Sequence, residues 1–201
     1  MRKVFLLMML CFLISGCIVR SINSFYTDSY EVTIPELMGV WKSEIQLGDS
    51  TKGKDIDPWT FSKNTIDSYD LDNTPSELYA TYFKIEGIYF MDVGPGRRPE
   101  GFKELINAYW HVGVMPVHFL FKLEIKDNKL RLIPFNPDWF TDRIEDGTVL
   151  KLPFVRVESG RHIENFICTA TSEEWIAFLK KHKDNEEVFW PEANFVFRKV
   201  E

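Results

Sequence analysis

Cysteine and histidine offer this chain its most reactive side chains, and their setting decides what that chemistry is. Cys168 closes the strand-like run Ile163-Glu164-Asn165-Phe166-Ile167-Cys168, which predicts a buried, inert thiol. A nucleophilic thiol would need an imidazole or cationic partner, and His162 is near it only along the chain. His111 and His118 lie seven residues apart. On one extended strand they would face opposite sides, and Pro116 bends the chain between them, so separate histidines are expected rather than a transition-metal pair. Gly94-Pro95-Gly96-Arg97-Arg98-Pro99 presents two adjacent guanidinium forks of the kind that grip phosphate or carboxylate. No phosphate-loop pattern or helix start accompanies them, which leaves a solvated loop. Asp55 and Asp57, and Asp67, Asp70 and Asp72, lack the spacing of a calcium loop and read as surface turns. No nucleophile elbow, paired-histidine zinc motif or serine-histidine-aspartate order is present, although thirty acids always permit some carboxylate pairing. The residues therefore predict no catalytic, cofactor-binding or metal site.

Cys17 is different, because its surroundings are an address. Arg2 and Lys3 make a basic start, Val4 to Ile14 an apolar run too short to span a bilayer comfortably, and Ser15-Gly16 stand directly before the cysteine. The stretch Leu13-Ile14-Ser15-Gly16-Cys17 resembles the bacterial lipobox. That resemblance implies a signal peptide over residues 1–16, cleavage after Gly16, a diacylglyceryl thioether on the Cys17 sulfur and acylation of the new amino terminus. Two or more acyl chains hold stably where one holds only marginally, so the protein is expected to be anchored rather than spanning. Ile18 is not the Asp that retains enterobacterial lipoproteins at the inner membrane, and the expected location is the periplasmic face of the outer membrane.

Composition bounds the partners. Without Arg2 and Lys3 the mature chain carries 22 basic and 30 acidic side chains, a formal charge of −8. Such a surface argues against nucleic acid and against a basic membrane-hugging face, so the lipid on Cys17 must do the anchoring. With Cys11 removed and Cys17 modified, Cys168 has no partner for an internal disulfide. Residues 17–30 are polar and without sustained periodicity, and read as the lipidated N-terminus and a flexible tether. Residues 31–201 read as a single domain, long enough to bury a proper core.

The domain's elements are mostly strands. Val117, Phe119, Phe121, Leu123 and Ile125 alternate with polar residues up to Asp127-Asn128, a two-residue turn that pairs Leu123 with Leu132, Glu124 with Arg131 and Ile125 with Leu130. Tyr79 to Ile85 and Ile88 to Val93 form a second hairpin about Glu86-Gly87. Further strands are expected at 40–47, 65–71, 154–157, 163–169 and 195–200. Asn136-Pro137 caps a helix that Gly147 ends, and the Thr171-Ser172-Glu173-Glu174 capping box opens another that runs to His182. The expected fold is mainly β, an antiparallel barrel or sandwich with two short helices near 137–146 and 172–182.

Gly39-Val40-Trp41 resembles the Gly-x-Trp of the first strand of lipocalins. The resemblance implies a barrel in which a late basic residue packs over the tryptophan, with Arg198 in that role over Trp41. The wider layout is similar to β-rich bacterial lipoproteins, a likeness that brings no chemistry with it. Aromatic residues, 15% of the chain, are expected chiefly to fill the core, with a cavity for one apolar molecule as the alternative. The function expected is a lipid-anchored, non-enzymatic binding module for a small apolar ligand or an envelope partner protein. The alternative is an envelope hydrolase using an acid or Cys168.

Overall fold

The computed structural model describes residues 19–44, 58–69, 75–95, 117–145, 152–159, 163–190 and 195–200. Their fold is mainly β, with a closed eight-stranded antiparallel barrel and two short helices. The barrel strands are β2 (Gly39–Ser43), β3 (Trp59–Phe61), β4 (Thr65–Tyr69), β5 (Pro75–Ile85), β6 (Ile88–Pro95), β7 (Phe119–Lys126), β8 (Lys129–Pro134) and β11 (Phe195–Lys199). From β2 to β8 each strand pairs with its successor, and β11 closes the ring between β8 and β2. Between β8 and β11 the chain forms α1 (Pro137–Glu145), β9 (Phe154–Ser159), β10 (Ile163–Cys168) and α2 (Ser172–His182). A short β1 (Arg20–Ser21) pairs in parallel with β10, giving a three-stranded sheet β1-β10-β9.

Local chemistry accounts for both hairpins. Asp127 and Asn128 take φ of 52° and 58°, and Glu86 and Gly87 take 46° and 94°, the left-handed pairs that match the twist of the flanking strands. The registers are those the alternation demands: Leu123 opposite Leu132, Glu124 opposite Arg131, and Ile85 opposite Ile88. Helix α2 begins with the full reciprocal cap, Glu174 N–H donating to Thr171 Oγ1 at 3.3 Å and Thr171 N–H to Glu174 Oε2 at 2.8 Å. Asn136 Oδ1 accepts from the Asp138 N–H at 3.1 Å ahead of α1. The sequence did not foretell the three-residue β3, too short to alternate visibly, or β1.

Two hydrophobic cores share one wall. The barrel interior is filled from every strand by residues that include Trp41, Phe61, Ile66, Tyr82, Met91, Leu123, Leu132 and Phe197. The outward face of β5 to β8, with Phe83, Ile85, Phe90, Leu120 and Ile133, is covered by α1, α2 and the small sheet, which contribute Trp139, Phe140, Cys168, Trp175 and Leu179. Elsewhere the outer wall is polar, as at Lys42, Asp67 and Arg198. Charged side chains on the exposed part of the outer wall are the reverse of the lipid-facing band of a membrane-crossing barrel. Among the described residues no helix is long and apolar enough to cross a membrane.

The expected tether differs from what residues 19–30 form. Val19 and Phe25 are buried in the outer core, β1 is hydrogen-bonded to β10, and Asp28–Tyr30 makes a turn of 3-10 helix. The physical reason is that Val19, Phe25, Tyr26 and Tyr30 are scattered too irregularly to signal an element, yet each finds apolar partners on a surface assembled by distant strands.

Candidate functional site

The barrel has a closed floor, and towards its other end, the mouth, the described interior side chains are less deeply buried. At the floor the turns β3–β4, β5–β6 and β7–β8 gather around the start of β2, and residues Ile34 and Leu37 plug the interior. Trp41 donates its indole N–H to Leu37 O at 2.7 Å. Gly39 has φ +121°, a conformation side chains rarely adopt, and this lets the plug turn directly into β2. The cation over the Trp41 ring is Lys199, its Nζ 5.4 Å from the centroid and donating to Glu36 O at 2.7 Å. The expectation of Arg198 in that place is corrected by strand alternation. Phe197 and Lys199 face inward, so Arg198 faces out, where it pairs with Glu44.

Towards the mouth, the described inward-facing side chains are only partly buried. Trp59 packs on Phe197 with ring centroids 5.0 Å apart, and Phe121 meets Phe195 edge-on at 6.1 Å. Register places all four, with Leu78, on the interior face. Trp59, Leu78 and Phe121 are half-buried and Phe195 is 36% exposed, whereas Trp41 and Leu130 below are fully buried. These side chains can hold an apolar group, and none of them carries a charge that would polarise a bond.

A second cluster lies outside the barrel, at the mouth end of β7. The Asp92 carboxylate, buried in β6, accepts from His118 Nδ1 at 2.8 Å and from the Phe25 N–H at 3.0 Å. The bond to Asp92 raises the His118 pKa above its ordinary value against the opposing effect of burial. Ser21 exchanges two backbone hydrogen bonds with His118, but its hydroxyl is buried and accepts from Trp175 Nε1 at 3.0 Å. Among the described residues no hydroxyl or thiol is hydrogen-bonded to the imidazole, so the pair lacks the nucleophile of a hydrolytic triad. Cys168 is buried, as expected, and burial pushes its thiol up to about 12, which keeps it protonated and unreactive at neutral pH.

A groove of about 400 Å³ on the outer wall is lined by Glu124, Lys126, Asp127, Lys129, Arg131 and Arg198. Arg131 and Glu124 bond across it at 2.7 Å, so the groove largely satisfies its own charges. Cys17, Asp55, Asp57, Asp70, Asp72, Arg97, Arg98, His111 and His162 lie outside the described residues, while Asp67 is on the exposed wall. Among the described residues no three His, Cys, Asp or Glu side chains converge as a metal would require. Sequence reading missed Asp92 as a partner of His118, although a lone acid within Ile88-Tyr89-Phe90-Met91-Asp92-Val93 is itself a signal, because a buried carboxylate must find donors. Comparison of the chain with protein-family models, curated proteins and solved structures finds no significant match.

Proposed function

We propose that this protein is a lipid-anchored module of the bacterial cell envelope, held through acyl chains on Cys17 at the periplasmic face of the outer membrane, that binds a small apolar ligand at the mouth of its barrel. The anchor is supported by the lipobox resemblance at Leu13-Cys17. The ligand site is supported by one observation above all: interior aromatic side chains pass from full burial at the floor to partial exposure at Trp59, Phe121 and Phe195. Because Trp41, Tyr82 and Phe61 already fill the lower barrel, the ligand sits shallowly, on a floor of side chains.

A dansyl-labelled fatty acid tests this reading. Saturable binding, with energy transfer from tryptophan and a several-fold loss of affinity in Phe121→Ala and Phe195→Ala, is the expected result. Absence of saturable binding, together with native mass spectra of membrane-extracted protein that hold no apolar passenger, removes the ligand and leaves an envelope partner protein as the binding target. Among the described residues, a hydrolase reading draws its support from the Asp92–His118 pair. Failure of the native protein to cleave a panel of ester and amide substrates disposes of it, and activity that survives in His118→Gln clears this pair of any part in it.

A further inference from the structure

The chain enters the fold almost at once after the proposed lipid site. Val19 is two residues beyond Cys17 and 1% exposed, and Arg20–Ser21 already form β1. Two residues reach at most about 7 Å, so acyl chains on Cys17 would leave the protein beside β1 and not from the end of a tether. The sheet β1-β10-β9 has two unlike faces there. Ser21 and Cys168, paired in register, are buried against the outer core. The intervening row, Arg20, Ile167 and Val155, runs across the opposite face. Val155 is 55% exposed and Ile22, whose N–H continues the ladder to Cys168 O, is 38% exposed. Isolated exposed aliphatic residues are ordinary, but Val155 shares a small sheet with a cation and Ile22 directly follows its strand β1, next to the proposed lipid attachment point.

We propose that this sheet face is a membrane-docking surface: Ile22 and Val155 enter the interface of the bilayer that holds the acyl chains, and Arg20 meets its anionic headgroups. The inference rests on the lipid anchor proposed above, which supplies the occupant. A surface within several ångströms of inserted acyl chains experiences the bilayer at a very high effective concentration, so even two aliphatic side chains and one guanidinium suffice to orient the domain. The net charge of the mature chain, −8, gives an anionic membrane no general attraction to its surface. Because Ser21 bridges His118, immediately before β7, the anchor also lies at the mouth end of the barrel, away from its plugged floor. An apolar ligand would then pass between bilayer and mouth over a short path.

Full-length protein matured in bacteria and reconstituted into phosphatidylethanolamine–phosphatidylglycerol vesicles supplies the test. Nitroxide labels are placed singly in Ile22→Cys, Val155→Cys and, in the β3–β4 turn at the floor, Lys63→Cys; the buried Cys168 stays unlabelled. Transfer from detergent to vesicles is expected to raise oxygen accessibility and lower that of a water-soluble nickel chelate severalfold at positions 22 and 155, with no change at 63. Equal water accessibility at all three positions, in protein that still floats with the vesicles, overturns the docking face and leaves the anchor standing. Protein that carries no acyl mass on Cys17 and fails to float overturns the anchor, and the docking face with it.

Discussion

The two cores of this molecule are built by opposite rules. Inside the barrel every strand contributes, each with alternate residues only, and the hydrogen-bonded ring closes without help from other elements. The outer core uses four strands a second time: β5 to β8 each also turn apolar side chains outward, with Tyr82 facing in and Phe83 out, Met91 in and Phe90 out, Leu123 in and Leu120 out, Leu132 in and Ile133 out. The other half of that core comes from two helices, the small sheet and the N-terminal segment, pieces up to 154 residues apart in sequence that meet through ring contacts and hydrogen bonds. The comparison teaches that the barrel is the scaffold and the outer layer its dependent. Strands with two apolar faces cannot be left uncovered, and the layer has no surface to fold on until the wall exists.

Truncation of one tryptophan in each core breaks this comparison most severely. Trp41→Ala and Trp175→Ala both remove fully buried indoles, and each is expected to cost about 3–5 kcal/mol. The consequences should differ. Trp41→Ala is expected to lower a single cooperative denaturation midpoint, whereas Trp175→Ala should accelerate amide exchange in α2, β9 and β10 well before β2 and β3. Equal acceleration throughout would mean that the layers form one cooperative unit.

Asp92 is the polar stitch between the cores. Asp92→Ala strands the buried Phe25 N–H and removes the partner of His118, and is expected to cost about 2–3 kcal/mol in chemical denaturation. Its effect should centre on residues 19–30. The same stitch sets a pH dependence. With the folded pKa of His118 raised above 6.5, the folded state binds more protons than the unfolded one between 6.5 and the raised value. The contribution is therefore fully present below about pH 6.5 and lost as pH rises through the folded pKa. The denaturation midpoint should fall over that window in the native protein and much less in His118→Gln.

Two smaller changes sharpen the picture. Thr171→Ala deletes the cap of α2 and is expected to cost about 1 kcal/mol, confined to the outer layer by exchange. Lys199→Gln should cost roughly 0.5–1 kcal/mol by removing the cation over Trp41, visible in the tryptophan near-ultraviolet circular dichroism, while Arg198→Gln at the exposed outer position should leave that spectrum unchanged.

Much of the barrel was legible because its signals are local. Alternation along 117–126 and 79–93 reports which face of each strand is buried, and Asp127-Asn128 and Glu86-Gly87 specify turns whose geometry sets the register. Helix α2 announces itself through Thr171 and Glu174, a contact made within one turn. The candidate site was less legible. The Asp92–His118 bond spans 26 residues, and neither partner carries a mark that names the other.

Sequence by itself determined most of the strands, both hairpin turns, the helix caps, the burial of Cys168 and the aromatic stock of the core, because each follows from periodicity or from contacts between near neighbours. Only the tertiary structure decided that the sheet closes through β11, that Lys199 and not Arg198 covers Trp41, that residues 19–30 join the domain, and that Trp59, Phe121 and Phe195 stay partly exposed. Those outcomes depend on which strand edges meet after long excursions of chain. Closure is a property of the whole ring, and no single segment encodes it.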